Sequence, residues 1–209
     1  AIQSIPWGIR WRRPRGFLAS LRRFLLAGGE AGAVARWLTE AESRLLRNKA
    51  FSPALRRRLA GEMELIAGLA SFGDAGAMKK KFSKAGRLLR GPSSIHPNHL
   101  SWSFDSPHLS FASFREAGKF HAFAEHAAGA ESALCLLSDG HSRGSADAIR
   151  AEYHLERGEL SMARHRPDSL ENGTSGQKAA VSAVFSRVRL LLALGCAEEA
   201  VGALAALPL

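Results

Sequence analysis

Cysteine is scarce in this chain of 209 residues: there are two, Cys135 and Cys196, each inside an apolar run. No Cys-x-x-Cys occurs, which removes the commonest redox and zinc motifs and leaves two thiols of the kind buried in a reducing compartment. Proline is also thin, with 8 residues, and there is a single tyrosine. Strong β-formers are few while Ala and Leu dominate, so an all-α chain is expected. No run approaches 18 uninterrupted apolar residues, so no membrane span is expected. The N-terminal stretch carries charge inside its apolar part and does not read as a signal peptide. P-loop, dinucleotide-binding glycine, His-Glu-x-x-His and nucleophile-elbow motifs are all missing.

Glycine and arginine are plentiful. The 20 glycines suit many short turns, and 29 Lys+Arg against 19 Asp+Glu give a net charge of +10. A basic balance favours acidic partners, but here the charge is scattered along solvated helix faces rather than gathered in one stripe. Residues 1–16 have no clean period and group Arg10, Arg12, Arg13 and Arg15 around Trp11. They read either as a basic arm for nucleic acid or lipid, or as a frayed terminus.

From Phe17 the apolar period becomes helical. Ser52 before Pro53, and Asp74, have the chemistry of N-caps. Gly140–Leu160 is the clearest unit: Ala148, Ala151 and Leu155 share a face, Arg150, Glu152 and Glu156 fall outside it, and Gly158 stops the helix. Similar stops stand at Gly28, Gly73, Gly118, Gly158 and Gly195, separated by 45, 45, 40 and 37 residues. Such periods belong to helix-pair repeats, whose stripes are covered only by stacking on neighbours. The expected organisation is an irregular basic segment over 1–16 and a tetratricopeptide-like α-α superhelix over 17–209. Val181, Val184, Phe185, Val188, Leu191 and Leu192 form the cleanest stripe, so Val184, Phe185, Val188 and Leu192 are expected to be buried.

Chemistry-bearing patterns are weak. His96, His99 and His108 are poorly spaced for zinc, and no metal site or cofactor is expected. Lys79-Lys80-Lys81 reads as a solvated face. Glu62, Glu64, Asp105 and Glu152 are not paired in any way that implies acid–base work. The loop Ser101–Pro107 and the turn Gly140–Ser145 each precede a helix and should offer free backbone N–H groups. They are expected to lie close together and to frame the candidate binding site. Trp102 and Phe104 would give apolar contact, or plug a gap between hairpins. His141, Arg143 and Ser145 would anchor an acidic group, or merely cap a helix.

An ordered set of segments carries a resemblance. Gly61-Glu62-Met63-Glu64-Leu65 is followed by Gly91-Pro92-Ser93-Ser94 and by Ser101-Trp102-Ser103-Phe104-Asp105-Ser106-Pro107. Then come Gly140-His141-Ser142-Arg143-Gly144-Ser145-Ala146, Arg150-Ala151-Glu152, Arg157-Gly158 and, after Gly176-Gln177, an apolar helix through Arg189-Leu190-Leu191-Leu192. Over about residues 55–206 this resembles the helical-repeat region of large LuxR-type, MalT-like bacterial transcriptional regulators. It departs from their pattern at Asp105 and Ser142, where the family has Gly, and at Arg166-Pro167-Asp168, where the family runs on in Ala and Leu. The resemblance implies a cytoplasmic, non-enzymatic sensor and oligomerisation region that binds a small-molecule effector or a protein partner. Self-association would be possible, and DNA would be bound only through a helix-turn-helix domain absent from this chain. A free-standing helical scaffold for protein–protein interaction is the alternative.

Overall fold

The computed structural model describes residues 12–95, 116–140, 142–164 and 177–205, with side chains throughout except at 177–183. Among these residues it is all-helical, with no strand. The chain divides into two compact units, Ala1–Pro97 and Asn98–Leu209. No helix among the described residues is long and apolar enough to cross a membrane.

In the first unit, α1 (Pro14–Leu26), α2 (Ala31–Arg47), α3 (Pro53–Ala70) and α4 (Ala75–Leu89) follow in order. The expected caps form: Ser52 accepts the Leu55 N–H, with Pro53 opening α3, and Asp74 accepts the Ala77 N–H. Helix α3 is the hub. It packs on α1, α2 and, most extensively, α4. Its buried positions lie on several sides, as a helix covered by three neighbours requires. Its glycines explain the close approach of α4. A Cβ at Gly61 would stand 2.6 Å from Leu89 Cγ, and one at Gly68 would stand 2.7 Å from Phe82 Cε1. The core joins Leu18 and Leu21 of α1 to Val34 and Leu38 of α2 and Leu59 and Ile66 of α3.

In the second unit, α5 (Lys119–Leu137), α6 (Ser145–Glu156), α7 (Leu160–Arg164), α8 (Gln177–Ala193) and α9 (Ala197–Ala205) follow in order. Helix α6 packs on α5, α7 and α8, and α8 forms a hairpin with α9. The α5 stripe Phe120, Phe123, Ala124, Ala127, Leu134 and Leu137 is buried, as its period requires.

All five glycines of the series have positive φ, between 70° and 105°. Gly158 shows why: behind it the Glu159 N–H reaches back to the His154 carbonyl at 2.9 Å, a left-handed closure of the helix end. One expectation changes: Gly118 is an N-cap that starts α5. Helix α4 is closed by Arg90, at φ 54°.

The α8 stripe is the larger correction. Val188 is buried at 7% exposure, but Phe185 is 48% exposed, Leu192 is 56% exposed and Val184 is only half-covered. Ser186 and Leu190 are buried instead. On the same helix Arg189 turns toward α6 to meet Glu152 and Glu156, so the side facing α6 carries a charge instead of a purely apolar row.

Candidate ligand groove and the buried carboxylates

Helices α2, α3 and α4 each give one stripe to a groove of about 560 Å³ in the first unit. On α3 the stripe is Ala60, Met63, Glu64, Ala67 and Ala70, at helical spacing. On α2 the groove meets Ala31, Gly32 and Ala35, whose small size leaves the space open, and then Leu38, Thr39 and Glu42. Lys81, Lys84 and Leu88 line it from α4. The volume is that of small-molecule sites, which are mostly apolar with a few placed polar groups.

Besides Thr39, Ser71 and the exposed Glu42, the polar groups of the groove are one carboxylate and two ammonium groups that meet each other. Glu64 keeps 13% of its side chain exposed; Lys84 Nζ donates to its Oε1 at 2.6 Å, and Lys81 Nζ stands 3.1 Å from Oε2. Burial works to raise the Glu64 carboxyl, but the two lysines outweigh it and hold it below its ordinary value. Lys81 is therefore not simply part of a solvated basic face: it turns inward onto an acid of the neighbouring helix.

Two further glutamates are fully buried, Glu62 on α3 and Glu152 on α6. Glu62 accepts from the Ser93 hydroxyl, from the Ser94 N–H at 2.7 Å and from the Ser94 hydroxyl at 2.8 Å. It fastens the segment after α4 back onto α3. Glu152 Oε1 accepts from Arg189 Nη1 of α8 at 3.1 Å, while Arg189 Nη2 reaches Glu156 Oε1. Among the described residues, Glu152 Oε2 and Ser186 Oγ are buried without hydrogen-bond partners. Burial pushes the Glu152 carboxyl up to about 7; Arg189 opposes that shift and Glu156 adds to it. Glu152 was expected outside the apolar face of its helix. It is buried because α6 is covered by both α5 and α8.

Of the residues expected to form the binding site, Trp102, Phe104 and His141 lie outside the described residues, and so does the expected proximity of their two segments. Arg143 is exposed. Ser145 is buried and donates its hydroxyl to the Ser142 carbonyl at 2.8 Å. The backbone N–H groups of this turn, expected to be free, are taken. Ser142 donates to Ser138 Oγ at 3.0 Å, Arg143 to Gly140 O at 3.1 Å and Ser145 to Ser142 O at 3.2 Å. Gly144 donates to Glu131 Oε1 at 2.7 Å, so an acid of α5 already stands where an acidic ligand was expected.

Other polar clusters in the second unit are also internally occupied. Glu159 binds His154 Nδ1 at 2.7 Å and Arg157 Nε at 2.6 Å, and the Arg157 guanidinium lies over the Tyr153 ring. These contacts hold Glu159 below its ordinary carboxyl range and close the turn between α6 and α7. Burial, with the Glu131 charge, raises the Cys135 thiol, which works against its use as a nucleophile. Among the described residues no three metal-binding side chains come together. No family model, curated protein or solved structure matches the chain. The groove is the one feature described so far whose shape suits a ligand while its polar groups keep donors to spare. Sequence reading missed it because its signal is small residues on two helices, which are as common in packed cores.

Proposed function

We propose that this chain is the helical-repeat binding region of a LuxR-type, MalT-like transcriptional regulator, and that the groove on α3 receives its effector or a protein partner. The reading includes tetratricopeptide-like hairpins stacked in a right-handed superhelix, cytoplasmic location and no catalysis. The observation that carries it is the open groove of about 560 Å³ with a carboxylate held between two lysines inside it. Two sequence segments behind the resemblance add support: Gly61-Glu62 and Ser93-Ser94 are joined by the buried Glu62 bonds. The mechanism is a shift of population. A ligand that binds one arrangement of the hairpins better than another favours that arrangement by its differential affinity.

The test is a thermal-shift screen of metabolites and peptides, because a ligand for the folded state alone raises its apparent stability. Ala35 is exposed and lines the groove, so Ala35→Leu fills it from the solvent side. A true groove ligand loses its effect in that variant. Ligands that act equally on both proteins refute the groove. The reading frame around the chain separates the regulator from a free-standing scaffold: a P-loop upstream and a helix-turn-helix downstream belong only to the former.

A further inference from the structure

The groove carries a statement about ligand chemistry, which rests on the binding reading above. Its two lysines and one glutamate sum to a single positive charge at the α3–α4 side. Each ammonium has three donors and gives one direction to Glu64, so donors remain for a second acceptor. Glu64 fixes both lysines side by side, which lowers the entropy lost when they grip another anion. The opposite stripe is different: α2 presents alanines, a glycine and Leu38, and its one acid, Glu42, is exposed and repels an anion from that side. The α3 stripe from Ala60 to Ala70 runs about 15 Å at 1.5 Å per residue, the extended length of about ten to twelve carbons. We propose that the groove binds a small amphipathic carboxylate, its head bridging Lys81 and Lys84 and its apolar chain lying along the alanine-rich faces of α2 and α3. One negative charge offsets the excess of the Lys81–Glu64–Lys84 group alone, on the side of the groove away from Glu42.

The test is calorimetric titration of the protein with decanoate, with decanol and decyltrimethylammonium as arms of the same chain length. Decanoate binds saturably, and decanol and the cation bind weaker by about tenfold or more. Lys81→Met and Lys84→Met each keep the apolar stem and weaken decanoate by about tenfold, while Lys80→Met, at an exposed neighbour that does not line the groove, leaves it unchanged. Ala35→Leu abolishes binding, and circular dichroism melts confirm that each variant is folded. Equal binding of decanol, an equal loss in Lys80→Met, or an unaffected Ala35→Leu overturns the proposal. Absence of decanoate binding overturns it too. In that event a different ligand from the screen that is sensitive to Ala35→Leu preserves the groove reading, and its absence removes both.

Discussion

Glu62 and Glu152 are the same side chain at the same burial in the two units, and they are satisfied in opposite ways. Glu62 is surrounded by neutral donors: two hydroxyls and a backbone N–H from two consecutive serines. Its helix, α3, is also tied to α4 by close packing across Gly61 and Gly68. Glu152 is met by a guanidinium that it shares with Glu156, and one of its oxygens has no partner among the described residues. Its helix packs on α8 less extensively than α3 packs on α4. The comparison teaches that a buried acid can act as a fastener without any counter-charge. When the fastener is an ion pair instead, the joint depends on pH and on one cation.

Removing that cation should give the largest effect. Arg189→Met leaves Glu152 buried and uncompensated beside Glu156. The expected cost is about 3–4 kcal/mol near pH 8, toward the low end for a broken buried pair because Arg189 keeps part of its side chain in water. Hydrogen exchange on the α8 amides should accelerate accordingly. At pH 5, below the raised Glu152 value of about 7, Glu152 takes up a proton and the cost should shrink. An equal cost at both values would show that Arg189 acts through packing alone.

The pH dependence of the unmodified protein comes next. The folded-state Glu152 carboxyl is raised to about 7 from an ordinary value of 4.5. Below 4.5 the folded and unfolded states both hold the proton and burial carries no ionisation cost. As pH rises through 7 the folded state must ionise an acid that the unfolded chain ionises easily. Stability of the second unit should therefore fall between about pH 4.5 and 7, by about 3 kcal/mol. Glu152→Gln should flatten that part of the profile in chemical melts run from pH 4 to 8. A profile that keeps its full slope in Glu152→Gln would assign the fall to another group.

Glu62→Ala probes the neutral fastener. It leaves the Ser93 and Ser94 donors without their buried acceptor, at a cost of about 2 kcal/mol. The loss should appear first as exchange at the Ser94 and Ile95 amides, since Ser94 N–H is a donor to Glu62. Unchanged protection there would mean that the segment after α4 is held by Ile95 in the core rather than by Glu62.

Much of the helical framework was legible in sequence because its signals are local. Ser52-Pro53, Asp74 and stops such as Gly158 are chosen by backbone chemistry within one turn and stand where their types require, whereas Gly118 opens a helix. The site was less legible because its partners are distant in sequence. Glu131 reaches Gly144, Lys84 reaches Glu64 and Arg189 reaches Glu152, across 13, 20 and 37 residues. No periodicity reports such pairs. A helical stripe also says only which residues could be buried together. On α8 Val188 is buried while Phe185 and Leu192 are exposed, and Arg189 between them meets two distant glutamates.

That outcome makes Phe185→Ala the smallest and most discriminating change. If α8 were held by its apolar stripe, removing a core aromatic would cost roughly 3–5 kcal/mol. Here Phe185 is 48% exposed, and Leu192, seven residues further along the same face, is 56% exposed. About half of the residue stays in water, so its removal leaves no fully enclosed cavity. The expected loss is below about 1 kcal/mol, well under that of Arg189→Met in the same helix. Paired melts of the two variants check the order directly. A Phe185→Ala loss equal to or larger than that of Arg189→Met would mean that packing, not the shared guanidinium, holds α8 to its unit, and the contrast with the Glu62 joint would disappear.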